Sequence, residues 1–365
     1  MTIYWIYIAA TLLSASIVLV SIPLVKSVAL KYGKFDVPCD RKVHKQPMVR
    51  LGGVAIFGAT LLSALFACLG AATLIPLSQN AFHTTFLILL GGGGFFLIGF
   101  ADDLLQLSAL NRLAMQMIVA AALWALGLRI EVWVLPGLAP LSLGWLSLPI
   151  TALWLSGVVN AINWIDGLDG LAAGISGITT ASLMVLCMAI AQPIPAILGA
   201  ALVGSLLGFL YYNYNPATIF MGDGGAYFIG FVLASLCIVG PQQIDSPFAS
   251  LLPLVILGVP LGDMLSVILV RLYRKKSPFS ADKCHLHHRL LDKNISHQAT
   301  VWVLYGLTVG MSAIAFMLVG LVSPTGLLIG AMGALVVLLW WLRRKTKFFE
   351  TQPFEMSEAI TSDCV

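Results

Sequence analysis

Apolar stretches long enough to cross a lipid bilayer follow one another along this chain of 365 residues, and that succession decides its fold class. A crossing helix needs about 20 apolar residues. On that measure the sequence divides into about 11 spans, at 3–25, 51–73, 84–101, 113–129, 148–165, 171–191, 196–212, 225–240, 248–270, 300–321 and 325–342. Inside hydrocarbon every backbone N–H and C=O must be satisfied within the protein, which a helix achieves by itself. The expected architecture is an all-α polytopic membrane protein. Composition agrees: 59% of residues are hydrophobic and 10% charged, with a mean hydropathy of +0.96. A soluble domain carries roughly 25% charged residues. A cytosolic globular enzyme, a disordered chain and a secreted disulfide scaffold are thereby excluded. The six cysteines lie far apart, mostly in apolar runs, and read as small hydrophobes.

The first span has no basic lead-in and runs unbroken to Lys26, the pattern of an anchor rather than a cleaved signal peptide. Basic residues then orient the chain. Nineteen of the twenty fall in one set of loops, and Arg129 alone falls on the other side. By the positive-inside rule the first set is cytoplasmic. The N-terminus is expected outside and the C-terminus in the cytoplasm, which an odd number of spans satisfies. Residues 1–342 are expected to form a single transmembrane catalytic domain, and 343–365 a polar, mobile cytoplasmic tail.

The acids gather on the same side. Asp102 and Asp103 end the third span in FADDLLQL, Asp166 and Asp169 end the fifth in NAINWIDGLDGLA, and Asp223 lies in NPATIFMGDGG. Any one acid at a helix end is satisfied by water. Five in glycine-bearing loops with no lysine nearby suit a hard divalent cation, and Mg²⁺ typically takes one or two carboxylates plus substrate phosphates. Glycine beside them lets backbone approach a ligand closely. No Walker A motif is present, and the Gly91–Gly94 run, inside a span, reads as close helix packing. The expected site is a metal–phosphate site at the cytoplasmic face that does not use ATP for energy.

Three further features carry charge. The segment 271–299 crowds His285, His287 and His288 among Arg271, Arg274, Lys275, Lys276, Lys283 and Arg289. It reads as an anion-binding loop for a diphosphate. A solvated basic loop and a zinc site with Cys284 are the alternatives; adjacent residues seldom address one ion, and no second pair follows at zinc spacing. The basic loop 31–50, with His44 and Lys45, is either a topology signal or part of the site. Asp263 lies about 12 Å inside its span at 1.5 Å per residue. It is either a functional intramembrane carboxylate or a satisfied packing residue.

Taken together, HKQPMVRLGG, ADDLLQL, NAINWIDGLDGLAAG, NPATIFMGDGG and ADKCHLHHRLL resemble, in order and over about 240 residues, the motifs of the polyprenyl-phosphate N-acetylhexosamine-1-phosphate transferases, the MraY/WecA glycosyltransferase 4 family. The peptidoglycan branch carries a PxHHHxE-type run. Here the run is His285-Leu286-His287-His288-Arg289, similar instead to the WecA/TagO branch, and no third acid follows Asp102-Asp103. The resemblance implies transfer of N-acetylglucosamine-1-phosphate from a UDP-sugar to undecaprenyl phosphate, releasing UMP, at a bacterial plasma membrane, with Mg²⁺ as cofactor and Mn²⁺ able to stand in. It implies Asp223 as principal metal ligand with Asp166 beside it, and Phe220 stacked on uracil with Asp169 bonding the base. Asn160, Asn163 and Asn213 would line the nucleotide and diphosphate with Lys45 nearby. His285, His287, His288 and Arg289 would meet the diphosphate or sugar, and Asp102 and Asp103 the acceptor.

The expected chemistry is in-line attack by the lipid phosphate on the β-phosphorus. A phosphate monoester has a second pKa near 6, so the acceptor needs little help from a base, and Asp102 and Asp103 are expected to position it. A covalent phospho-aspartate route stays open. The rival within the class is a phospho-MurNAc-pentapeptide transferase; the rival outside it is an ion-coupled transporter, whose acids would sit near the midplane of repeated, broken helices. The partners are a UDP-sugar, a polyprenyl phosphate and the bilayer, with no nucleic acid; a homodimer is left open.

Overall fold

The computed structural model describes residues 2–32, 48–74, 79–241, 244, 246–277 and 284–323. These fall in a compact unit, Met1–Val319; a second unit, Gly320–Val365, lies almost wholly outside the described residues, and with it the expected span 325–342 and the tail. In chain order the elements are α1 (Thr2–Lys31), α2 (Gly52–Ala72), α3 (Gln79–Leu105), α4 (Ala109–Ala125), β1 (Val132–Trp133), β2 (Leu141–Ser142), α5 (Ser147–Ile165), α6 (Leu171–Ala189), α7 (Pro193–Asn213), α8 (Gly222–Val239), α9 (Leu252–Ile256), α10 (Gly258–Tyr273), α11 (Leu286–Leu291) and α12 (His297–Leu318).

Eight of these helices are long and apolar enough to cross a membrane, or nine if a bent pair counts as one span. About 11 spans are expected; one of them, 325–342, lies outside the described residues, and two others differ for physical reasons. The span 248–270 is two helices, α9 and α10, meeting at 74°. Pro253 and Pro260 each sit in the first turn of their helix, where a missing N–H is tolerated. Neither could continue a helix from the preceding turn, so the chain bends at Leu257. The expected span 113–129 is α4, whose 17 residues reach only about 25 Å. The all-α expectation also misses a two-stranded antiparallel hairpin, in which Val132 pairs with Ser142 and Trp133 with Leu141. It is tied down at the end of the bundle away from the acids: the Val134 N–H donates to Ser250 Oγ and the Ile130 N–H to Thr151 Oγ1.

Burial sorts the helices. In α8, 89% of the membrane-length window is buried, against 22% in α1 and 28% in α12, so α8 is the axis and the other two form the lipid-facing rim. Around α8 pack α3, α5 and α2, and α7 joins α1, α2 and α6. The α3–α8 seam depends on the Gly91–Gly94 run. A Cβ on Gly91 would run into the Phe231 ring, and one on Gly92 would lie 3.0 Å from Phe228. The run is a packing surface, and Phe95 stacks on Phe231 with ring centres 4.8 Å apart.

Gly91→Ala is therefore expected to cost about 1–3 kcal/mol through overpacking. Gly58→Ala, with nothing within 4 Å of the new methyl, should be neutral. Thermal unfolding of the two variants in detergent compares them directly.

Candidate active site

The ends of α3 and α5, the start of α8 and the histidine helix α11 meet at one end of the bundle. Their junction begins with Asp103, whose Oδ1 accepts the Asp223 N–H and whose Oδ2 accepts the Gly224 N–H, both at 2.9 Å. The first N–H groups of a helix have no partner within it, so one carboxylate ties the last turn of α3 to the first of α8. The approach is close enough that a Cβ on Gly99 would strike the Asp223 carbonyl. Gly222 enters α8 with φ +75°, a left-handed value that glycine adopts at no steric cost. Its Cα faces the Arg50 carbonyl and Asp103 Oδ2. The other side of this turn is paired in strand-like fashion: the Phe220 N–H donates to the Val49 carbonyl, and the Gly52 and Gly53 N–H groups donate to the carbonyls of Phe220 and Met221. Two motifs distant in sequence, MVRLGG and FMGDGG, thus form one unit.

Asp223 then projects into the junction. Its Oδ1 accepts from Asn163 Nδ2 at 2.7 Å, and its Oδ2 lies 3.6 Å from Arg112 Nη1. Asp102, 6% exposed, accepts from Arg112 with one oxygen and from the Leu107 N–H at 2.7 Å with the other. Arg50, Gln106 and Leu107 complete, with Asp102, Asp103, Arg112 and Asp223, the lining of an open cleft of about 300 Å³. The acids have no lysine beside them among the lining residues, but they do have two arginines, Arg112 and Arg50, and Arg50 brings the end of the basic loop 31–50 to the cleft. The signal that could have found Arg112 is that it is the first basic residue after the Asp pair and follows Asp102 by only ten positions.

The Asp166 side chain, at the end of α5, makes no hydrogen bond among the described residues, and the residue is half-buried. Burial raises its carboxyl to about 7; Arg50 opposes the rise, and the Asp103 and Asp169 carboxylates add to it. Asp169 turns away: its Oδ2 accepts from Asn215 Nδ2 and from the Ala217 N–H, each at 3.0 Å. Asn213, buried, accepts the Gly170 N–H with Oδ1 and donates Nδ2 to the Ile219 carbonyl. The Asn160 amide donates to Gln116 Oε1 and the Ser156 carbonyl, one turn deeper in α5 than Asn163. Phe220 is half-buried beside the junction, and Lys45 lies outside the described residues. Among the described residues no three His, Cys, Asp or Glu side chains form a ready-made metal cluster, Cys284 included.

The histidines are packed rather than solvated. His287 is 2% exposed and faces Gly167, where a Cβ would meet its ring. His285 stacks on His287 with centres 5.6 Å apart and meets the Trp164 ring edge-on at 5.8 Å. His288 lies 4.4 Å from His287, and Arg289 is exposed. Asp263 joins them, with Oδ2 2.7 Å from His285 Nδ1 and Oδ1 accepting the Leu286 N–H at 2.6 Å. The chain after α10 therefore folds back to the depth of Asp263.

Burial, with the neighbouring His288, lowers His287 to about 4, so it is neutral at pH 7. The unfolded chain binds a proton at higher pH than the folded one does. Stability is thus full above about 6.5 and falls as pH drops towards 4, by about 3 kcal/mol for a shift of this size. Comparing acid unfolding of the wild type and His287→Gln should show that difference, with the variant's profile flatter across the window.

Residues 85–241 match the pattern of glycosyl transferase family 4. A probable undecaprenyl-phosphate N-acetylglucosaminyl 1-phosphate transferase of Bacillus subtilis is 36% identical over 312 residues, 84% of each chain. A decaprenyl-phosphate N-acetylglucosaminephosphotransferase of Mycolicibacterium smegmatis is 35% identical, covering 79% of this chain and 76% of its own. A phospho-N-acetylmuramoyl-pentapeptide-transferase of Halalkalibacterium halodurans is 32% identical, covering 72% and 81%. On this likeness, and on the motifs that build the junction, the chain belongs to glycosyl transferase family 4, in its WecA/TagO-like branch.

Proposed function

We propose that the protein transfers N-acetylglucosamine-1-phosphate from a UDP-sugar to undecaprenyl phosphate, releasing UMP, from the cytoplasmic face of a bacterial plasma membrane. The observation that carries this reading is the cleft itself: Arg50 and Arg112 open onto the same space as Asp102, Asp103 and Asp223, at the end of membrane-length helices. Both reactants are anions, one lipid-borne and one water-soluble. Their meeting point must lie at the bilayer surface and must supply positive charge. The names of the relatives in Bacillus subtilis and Mycolicibacterium smegmatis support the same acceptor class and sugar.

Each residue has a distinct part in the reaction. Arg112, held by Asp102 and facing Asp223, is placed to take the acceptor phosphate, with Arg50 across the cleft. Asp102 and Asp103 have both oxygens engaged, with Arg112 and Leu107 and with the α8 backbone. Hydrogen bonds and the guanidinium draw charge from these oxygens and lower their nucleophilicity, which favours direct attack by the acceptor over a phospho-aspartate. The acceptor is already mostly dianionic at pH 7. Asp223 and Asp166 offer oxygen donors of the kind Mg²⁺ accepts, and Asp166 has no competing hydrogen bond. The cation would supply charge stabilisation at the diphosphate. The histidine segment, neutral at His287, would meet the sugar diphosphate, and Phe220 and Asp169 the nucleotide end.

The test is UMP release by the purified protein with undecaprenyl phosphate, Mg²⁺ and each UDP-sugar in turn. Turnover should be fastest with UDP-N-acetylglucosamine; a folded protein that releases UMP from no donor would defeat the reading. Asp223→Ala should lower kcat at least about 100-fold, the scale of losing one preorganised electrostatic group. Arg112→Ala should raise the KM for the lipid phosphate while leaving that for the UDP-sugar nearly unchanged. Cys284→Ser should keep activity.

A further inference from the structure

Asp263 is a carboxylate inside a membrane-length helix pair, and it has no place in the chemistry proposed above. It is 4% exposed. An ionised group buried to that degree is retained only where hydrogen bonds replace its water. Its two oxygens find those bonds on a single segment, at the His285 ring and the Leu286 N–H. The bend at Leu257 sets the direction of α10 and so presents Asp263 to the histidines rather than to lipid.

A carboxylate only accepts hydrogen bonds, so the proton between the two groups sits on His285 Nδ1. That fixes the tautomer and leaves Nε2, on the opposite edge of the ring, without a hydrogen bond among the described residues. The ring is held on its other sides as well, by the Trp164 edge and the His287 face. Trp164 is the neighbour of Asn163, which bonds Asp223, and His287 rests on Gly167, the neighbour of Asp166. His285 is thus an oriented imidazole attached to the junction of acids, with one nitrogen committed inward and one available.

We propose that Asp263 is a positioning residue for the sugar-diphosphate substrate. It clamps the start of the histidine helix and sets the His285 tautomer, so that the Nε2 lone pair accepts a hydrogen bond from a hydroxyl or the acetamido N–H of the sugar. The proposal rests on the reading of the histidine segment as the element that meets the sugar end of the donor. Asp263→Asn keeps an oxygen for the Leu286 N–H but turns an NH₂ towards Nδ1, which drives the proton to Nε2. A buried partner that orients such a ring is worth about 10–100-fold in comparable sites.

The experiment combines kinetics with ¹⁵N-histidine spectra of the full chain in detergent, with His285 assigned from its loss in His285→Gln. Wild type should show a protonated Nδ1 at His285, and Asp263→Asn a protonated Nε2. Asp263→Asn should lower kcat/KM for UDP-N-acetylglucosamine about 10–100-fold, and Asp263→Asn with His285→Gln should be no worse than His285→Gln alone within about twofold. A side chain that only held the fold together would multiply its loss with that of His285→Gln, and that result overturns the proposal. So does an unprotonated Nδ1 in the wild type, a reading that stands even where the variants fail to fold. Should wild type release UMP from no donor, the transferase reading fails, while the spectra still decide the Asp263–His285 pairing.

Discussion

Two hydrogen bonds from the Asp103 carboxylate to the first backbone N–H groups of α8 hold the junction together. Each charge-assisted bond of this kind is worth about 1.5–3 kcal/mol, and here both act across a seam between two membrane-length helices. Everything else in the cleft is placed relative to it. Asp223 is the residue whose N–H is taken, so its side chain is fixed by its own backbone. Asp102 is the neighbour in sequence, and Arg112 follows from Asp102. Glycines at 99 and 222 make the seam close enough for the bonds to form.

The acids divide into two groups. Asp102, Asp103 and Asp263 each have both oxygens committed to protein N–H groups, to a guanidinium or to an imidazole, and Asp169 has its Oδ2 committed to Asn215 and Ala217. Asp166 does not, and Asp223 has one oxygen on Asn163 and the other open towards Arg112. Residue type therefore predicts location here better than role. A carboxylate that binds backbone shapes the cleft, and one that faces open space can exchange partners during a reaction. The two asparagines deepest in the site follow the same rule: Asn160 and Asn213 have their amides satisfied within the protein, whereas Asn163 reaches the reacting end.

Much of this was legible in the sequence, for a definable reason. Scarce charge in an apolar chain marks its own position, so the acidic motifs and the helices between them could be read directly. Helices at α3 and α8 are longer than the expected spans 84–101 and 225–240 because polar turns at their ends continue the helix without being apolar. What could not be read were pairings across sequence. Arg112 looked like a loop marker, and Asp263 like an isolated acid in a span. Each acquires its meaning from a partner that the linear pattern does not specify: Asp102 and His285. The bend at Leu257 was missed because the residues around it, 251–262, are apolar without a polar break. Its two prolines were visible, but whether proline kinks a membrane helix or starts a new one depends on what packs against the turn.

The bend links the two halves of the site. A straight span through 248–270 would leave Asp263 facing either lipid or a neighbouring helix, and a lone ion there is costly. Broken into α9 and α10, the same residues turn Asp263 to the returning chain, where the Leu286 N–H and the His285 ring satisfy it. The histidine segment is thereby held from below by α10 and from the side by α5, through Trp164 and Gly167. On the far side of α5, Asn163 bonds Asp223 on α8. α5 thus carries the histidines on one flank and the acids on the other, and a substrate that needs both must lie across its end.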